Sequence, residues 1–164
     1  MFKYLSNNDL NYWANYRLLA IAAQAAPEQL TQTLPLPWGT ILGTFGHILG
    51  AEWAWRQRCQ EGISPAALLD LDQFSTLDVL MQRWNQEEAA MRAYLATLDE
   101  ATLHGPLHYK NTRGEPFTRT LWHLLSHVVN HGTQHRAEIA VFLTQFGHSP
   151  GDMDLSLFLA QRAS

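Results

Sequence analysis

FTRTLWHLLSHVVNHGTQHRAEIAVFLTQFG, residues 117–147, holds half of the chain's eight histidines, at positions 123, 127, 131 and 135. The repeated i, i+4 spacing predicts one long helix. At ~100° per residue, every fourth side chain returns to within ~40° of the same face, ~6 Å further along the axis. Imidazoles on successive turns can then converge on one ion. Which of them point inward is set by the large apolar residues Leu121, Leu124, Leu125, Val128, Ile139, Phe142, Leu143 and Phe146. On a wheel with His127 at zero these occupy a sector from about 60° to 160°. His135 falls at about 80° and His131 at about 40°, with His127 at the rim and His123 beyond it. The inward pair is therefore His131 and His135, in the pattern H-x-x-x-H.

A lone inward histidine is ordinarily a core residue hydrogen-bonded to a neighbour. Two on successive turns, with a third imidazole supplied from elsewhere, change the balance, because several buried rings without a common partner leave polar nitrogens unsatisfied. A shared metal ion removes that cost.

The remainder of the chain says what surrounds the pair. Its 164 residues suffice for one domain with a sizeable core, and we read residues 1–164 as a single domain. Hydrophobic residues make up 46% and charged ones 16%, which excludes a disordered chain. The net charge of −4, with no basic cluster, argues against nucleic acid as a partner. Neither a signal-peptide core nor a run near the ~20 apolar residues of a membrane span is present, so no membrane partner and a cytoplasmic location are expected. The single cysteine, Cys59, agrees with a reducing compartment and reads as a structural thiol.

Apolar spacing predicts a first helix from about Asn8 to Ala25, stopped by Pro27, then an extended connection to Gly39. Thr40 is a candidate N-cap for a second helix over Ile41 to Cys59. Gly43, Gly46 and Gly50 there permit close approach of another helix, or room for an ion and its ligand. His47 lies among them and is the best-placed third ligand for His131 and His135, since His104, His108 and His148 fall in predicted loop or strand. Ser75 and Asp78 resemble a capping box ahead of a third helix running to about Leu98, with a core stripe of Leu77, Leu80, Met81, Trp84, Met91, Tyr94, Leu95 and Leu98. The segment 103–121 is too rich in Gly, Pro and Asn for a helix, but LHY and PFT can pair as a short hairpin. Asp154 can cap a short last helix. The expected fold is all-α: a four-helix bundle with a short β-hairpin before the fourth helix and a short C-terminal helix.

With these elements placed, the chain resembles the DinB/YfiT-like family of bacterial metalloenzymes nearly end to end. The resemblance is carried by NYWANYRLL (11–19), TFGHILGAEWAW (44–55), HVVNHGTQHRAEIAVFL (127–143) and GHSPGDMDLSLFL (147–159). It implies a four-helix bundle whose one metal is held by three histidines, matching His47, His131 and His135 here. It further implies zinc or nickel, with iron or manganese as alternatives, and a homodimer. Some members are thiol S-transferases or isomerases using bacillithiol, mycothiol or glutathione, and many were named only for induction by DNA damage. Where many relatives carry Gly-Gln after the His-Arg pair, this chain has Ala137 and Glu138.

Three neutral imidazoles leave an ion its full charge and an open position, as in catalytic rather than structural zinc sites. The expected function is transfer of a low-molecular-weight thiol, as co-substrate, to a small electrophile. A metal-dependent hydrolase, or a non-catalytic stress-inducible binding protein with a structural metal, are the alternatives. Glu138 is the candidate catalytic residue, as a base or as an orienter of a ligand, although it could instead pair with Arg136 or face solvent. Trp53 is a candidate pocket or core residue, and His127 a candidate outer or fourth ligand. A di-iron carboxylate bundle is disfavoured because paired Glu-x-x-His motifs are missing.

Overall fold

The computed structural model describes residues 2–162. Four long helices carry the fold: α1 (Phe2–Ala22), α3 (Ile41–Arg56), α4 (Leu77–Leu95) and α6 (Leu121–Gln145). Between them lie the short α2 (Pro27–Thr31) and α5 (Glu100–His104), and the chain ends in α7 (Leu155–Arg162). An antiparallel hairpin, β1 (Pro106–Lys110) with β2 (Pro116–Thr120), precedes α6, in the register that sets Leu107 opposite Arg119 and Tyr109 opposite Phe117. The expected bundle, hairpin and terminal helix are all present. No helix among the described residues is long and apolar enough to cross a membrane.

Local chemistry accounts for most boundaries. Thr40 caps α3 as expected, its hydroxyl accepting from the Gly43 amide at 2.8 Å. At α4 the cap is Thr76 rather than Ser75: the Thr76 hydroxyl accepts from the Val79 amide, and Asp78 only adds charge to the first turn. Asp154 accepts from the Leu157 amide at 2.8 Å and starts α7. Pro27 does not merely end α1. It opens α2 from the first helical position, where its missing N–H costs nothing. The short α5 was not expected: Asp99 caps it at the Thr102 amide, and it includes His104. Helix α3 passes into a π-helical turn, Gln57–Glu61, which Gly62 closes at φ +67°.

The glycines of α3 serve neither a second helix nor an ion. A Cβ at Gly46 would lie 2.9 Å from Leu71 and 3.2 Å from Phe74, so the connection between α3 and α4 packs directly on this helix face.

Two apolar clusters form the interior. One gathers Leu18, Leu19, Phe45, Ile48, Leu49, Leu80, Trp84, Ile139 and Leu143. The other holds Tyr12, Met91, Tyr94, Leu95, Leu98, Leu103, Leu121 and Leu125. Where the helices pass from one cluster to the other, a buried polar layer crosses the bundle. Asn11 and Asn15 of α1 donate to one oxygen of Glu52 at 2.7 and 3.0 Å, and the indole of Trp84 donates to the other at 2.9 Å. Arg136 of α6 donates to the side-chain carbonyls of the same two asparagines, each at 2.7 Å, and to the Thr133 hydroxyl at 2.9 Å. Burial pulls the Arg136 guanidinium down to about 10, against the charge of Glu52, so it stays protonated at neutral pH. Burial pushes the Glu52 carboxyl up, while the two asparagines, Arg136 and Trp84 pull the other way.

This layer explains Gly132, one turn before Arg136. A Cβ there would lie 2.6 Å from the Arg136 guanidinium and 2.8 Å from the Asn11 carbonyl. In an ordinary helix interior, Gly→Ala stabilises by ~1 kcal/mol. Here Gly132→Ala is expected to destabilise by ~1–3 kcal/mol, since the guanidinium is pinned at both ends. The midpoint of urea unfolding measures this, and an unchanged or raised midpoint would show that the layer yields freely.

Candidate metal centre

Helix α3 delivers His47 and helix α6 delivers His131 and His135 to one place. The three ring centroids lie 4.5 to 4.9 Å apart. Each ring offers a nitrogen, and the three nitrogens lie within 4.8 Å of one another. The Nε2 atoms of His47 and His131 are 3.0 Å apart. Two nitrogens at ~2.0–2.1 Å from one tetrahedral ion would be about 3.3 Å apart, so this pair already has nearly that spacing. His47 and His135 are buried and His131 is half-buried.

Protonation states fit a cation. Burial, together with the neighbouring rings His131 and His135, lowers His47 to about 3. Burial, His135 and His127 lower His131 to about 4. Both rings are neutral at pH 7. The Nδ1 of His135 faces the Glu138 carboxylate at 2.8 Å. Opposite an acceptor, that nitrogen carries a hydrogen, so the other ring nitrogen is the one available to a shared ion. Three facing nitrogens thus have fewer hydrogens than lone pairs, a donor set that suits a divalent ion better than a chain of hydrogen bonds.

The surroundings hold the rings still. Trp38 stacks on His47 at 3.8 Å with an interplanar angle of 15°. That contact steadies the side of the ring away from His131, where the buried Nδ1 of His47 has no hydrogen-bond partner. Sequence reading missed Trp38, whose loop position among prolines and Gly39 carries no periodic signal. Glu138, expected to orient a ligand, act as a base, pair with Arg136 or face solvent, grips His135 rather than Arg136. Its carboxylate also takes a long contact from Gln134 at 3.5 Å.

The other histidines stay outside the trio. His127 is exposed, and its ring lies 5.3 Å from Trp55 and 5.8 Å from His131. His123 packs on Trp122, His104 reaches Glu100, and His108 bonds Thr118 across the hairpin. A cleft of about 820 Å³ opens beside His47 and His131, walled by Trp38 and Trp55 and overhung by Asn111 and Thr112 at the hairpin tip. Trp53, half-buried on α3, does not line it.

Fold and trio together define a class: a helical bundle with an all-imidazole, metal-competent cluster at the wall of an open cleft. A sequence profile of the DinB family matches residues 2–163, and the chain belongs to that family. It is similar to Protein DinB of Bacillus subtilis (strain 168), with 25% identity over 155 residues, 92% of this chain and 90% of that protein.

If Glu138 fixes the His135 ring, Glu138→Ala should weaken divalent-metal affinity by ~10–100-fold while leaving helix content intact. Competition against a chromophoric chelator reads this. Wild-type affinity in the variant would assign the carboxylate to the surface.

Proposed function

We propose that this chain is a metal-dependent enzyme acting on small molecules, with His47, His131 and His135 holding one divalent ion. Zinc or nickel is the preferred ion, with iron or manganese as alternatives, because an all-nitrogen site is set as much by supply as by affinity. One observation carries the reading: two of the three histidines border a cleft large enough for a substrate, whereas a purely structural site would be closed on all sides. A bound ion there would supply Lewis acidity and lower the pKa of a coordinated thiol or water.

The chain's own residues supply the rest. Glu138 holds the hydrogen on Nδ1 of His135 and so presents Nε2 as a donor. Trp38 clamps His47 and keeps water from its outer face. Low pKa values keep His47 and His131 neutral, so protons compete weakly for their lone pairs at neutral pH. We assign the reaction to transfer of a low-molecular-weight thiol to a small electrophile, in which the thiol gives up its proton and a sulfur–carbon bond forms as a halide departs, an epoxide C–O bond opens with its oxygen taking up a proton, or a conjugated double bond is saturated. We read Glu138 as a positioning residue, since its carboxylate is already engaged. A homodimer is proposed as the functional unit.

The deciding measurements are elemental analysis, turnover and mass. Wild-type protein should carry about one divalent ion per chain and the His131→Ala variant far less, and equal content would remove the metal reading. Thiol consumption with epoxides, halides or quinone-like electrophiles should depend on that ion. Ester or amide turnover without thiol consumption would instead select the hydrolase. Metal removal that unfolds the protein, with no turnover of either kind, would select a structural ion in a binding protein. Light scattering on the metal-loaded protein should report a dimer.

A further inference from the structure

Among the described residues, one cation buried beside the cleft has no counter-ion. Arg58 lies in the π-helical turn after α3 and is only 6% exposed. Its guanidinium sits over the ring of Trp55 at 4.6 Å and over that of Tyr109 at 5.8 Å. The Nε atom is buried and has no hydrogen-bond partner, and among the described residues the group enters no hydrogen bond or ion pair. Other arginines at the interior are treated differently: Arg136 is held by Asn11 and Asn15, and Arg56 by Glu87. A guanidinium carries five N–H donors, and the one on Nε is both buried and unpaired here, which is costly unless something else compensates it.

Arg58 lines the same cleft as His47 and His131. The one carboxylate in that lining, Asp70, is occupied in capping a turn through the Asp72 amide at 3.1 Å. The cleft wall therefore presents one unpaired permanent cation between two aromatic rings, and imidazoles with free nitrogens further along it.

We propose that Arg58 is the anion-binding residue of this cleft, receiving the carboxylate of a small substrate whose reactive end lies against the histidine trio. A carboxylate suits the site better than a phosphate dianion, because the lining holds no second permanent cation to share the charge. Trp38 and Trp55 fit a flat or apolar stretch between the two ends. The carboxylate belongs either to the thiol donor or to the electrophile. The position of the reactive end rests on the metal-centre reading above, whereas the anion subsite itself can be read by binding alone.

The test is calorimetric titration of zinc-loaded wild type and Arg58→Gln with four probes: glutathione, its diethyl ester, succinate and 2-mercaptoethanol. Wild type should bind glutathione or succinate at least tenfold more tightly than the probes without a carboxylate, by the charge-assisted contact. Arg58→Gln should abolish that preference without changing zinc content. Arg58-dependence with glutathione but not succinate assigns the carboxylate to the thiol donor, and dependence with succinate assigns it to the electrophile. Equal binding of carboxylate-bearing and carboxylate-free probes by wild type overturns the proposal even if the variant fails to fold, as does a folded Arg58→Gln variant that keeps the preference. The two readings separate in His131→Ala: unchanged zinc content with retained Arg58-dependent succinate binding sinks the metal centre but supports the subsite, whereas loss of zinc with that binding retained supports both.

Discussion

The structure depends on a buried guanidinium and a buried carboxylate that meet only through two asparagines. Arg136, Asn11, Asn15, Glu52 and Trp84 satisfy one another in a layer closed to water. Charges taken from water need their partners in good geometry, and removing one strands the rest at a cost of ~3–5 kcal/mol. Only a narrow range of helix registers meets that demand on α1, α3, α4 and α6 at once. His135 adjoins Arg136, and His47 lies little more than one turn before Glu52. The layer that locks the bundle therefore also sets how closely the imidazoles approach.

The two inward arginines illustrate opposite uses of the same side chain. Arg136 has every neighbour it needs and acts as an internal strut. Arg58 has aromatic faces and nothing to donate to, and it borders solvent-accessible volume. Sites that act on ligands commonly leave polar groups unsatisfied until the ligand arrives, whereas a finished core does not. The trio shares that character, with free nitrogens on one side and a clamp of Trp38 and Glu138 on the others.

Where sequence reading missed, a competing interaction can be named. Ser75 and Thr76 are both competent caps, and the choice fell on the residue whose backbone enters the helix in extended form. The glycines of α3 were read as room for another helix or for an ion, and the packing of Leu71 and Phe74 on Gly46 shows the connection to α4 there instead. Arg136 entered the sequence reading only as a possible partner of Glu138, and arginine is rarely buried unless paired. Its partners lie on α1, more than one hundred residues earlier, as the separation of 125 between Arg136 and Asn11 records.

What the amino-acid order settles alone is periodic and local: four amphipathic helices, their stops at Gly and Pro, a hairpin, and an H-x-x-x-H pair turned inward. Those follow from residue spacing along a single element, where geometry is known in advance. It also singled out His47, Glu138 and the family. Folding in three dimensions supplied what spacing cannot encode: that His47 reaches His131 within 3.0 Å, that Glu138 grips His135 rather than Arg136, and that Trp38 and Arg58 belong to the same cleft. Each of these except the local Glu138 contact joins residues far apart in the chain, and such distances are set only when the helices pack and Arg136 and Glu52 meet their shared partners.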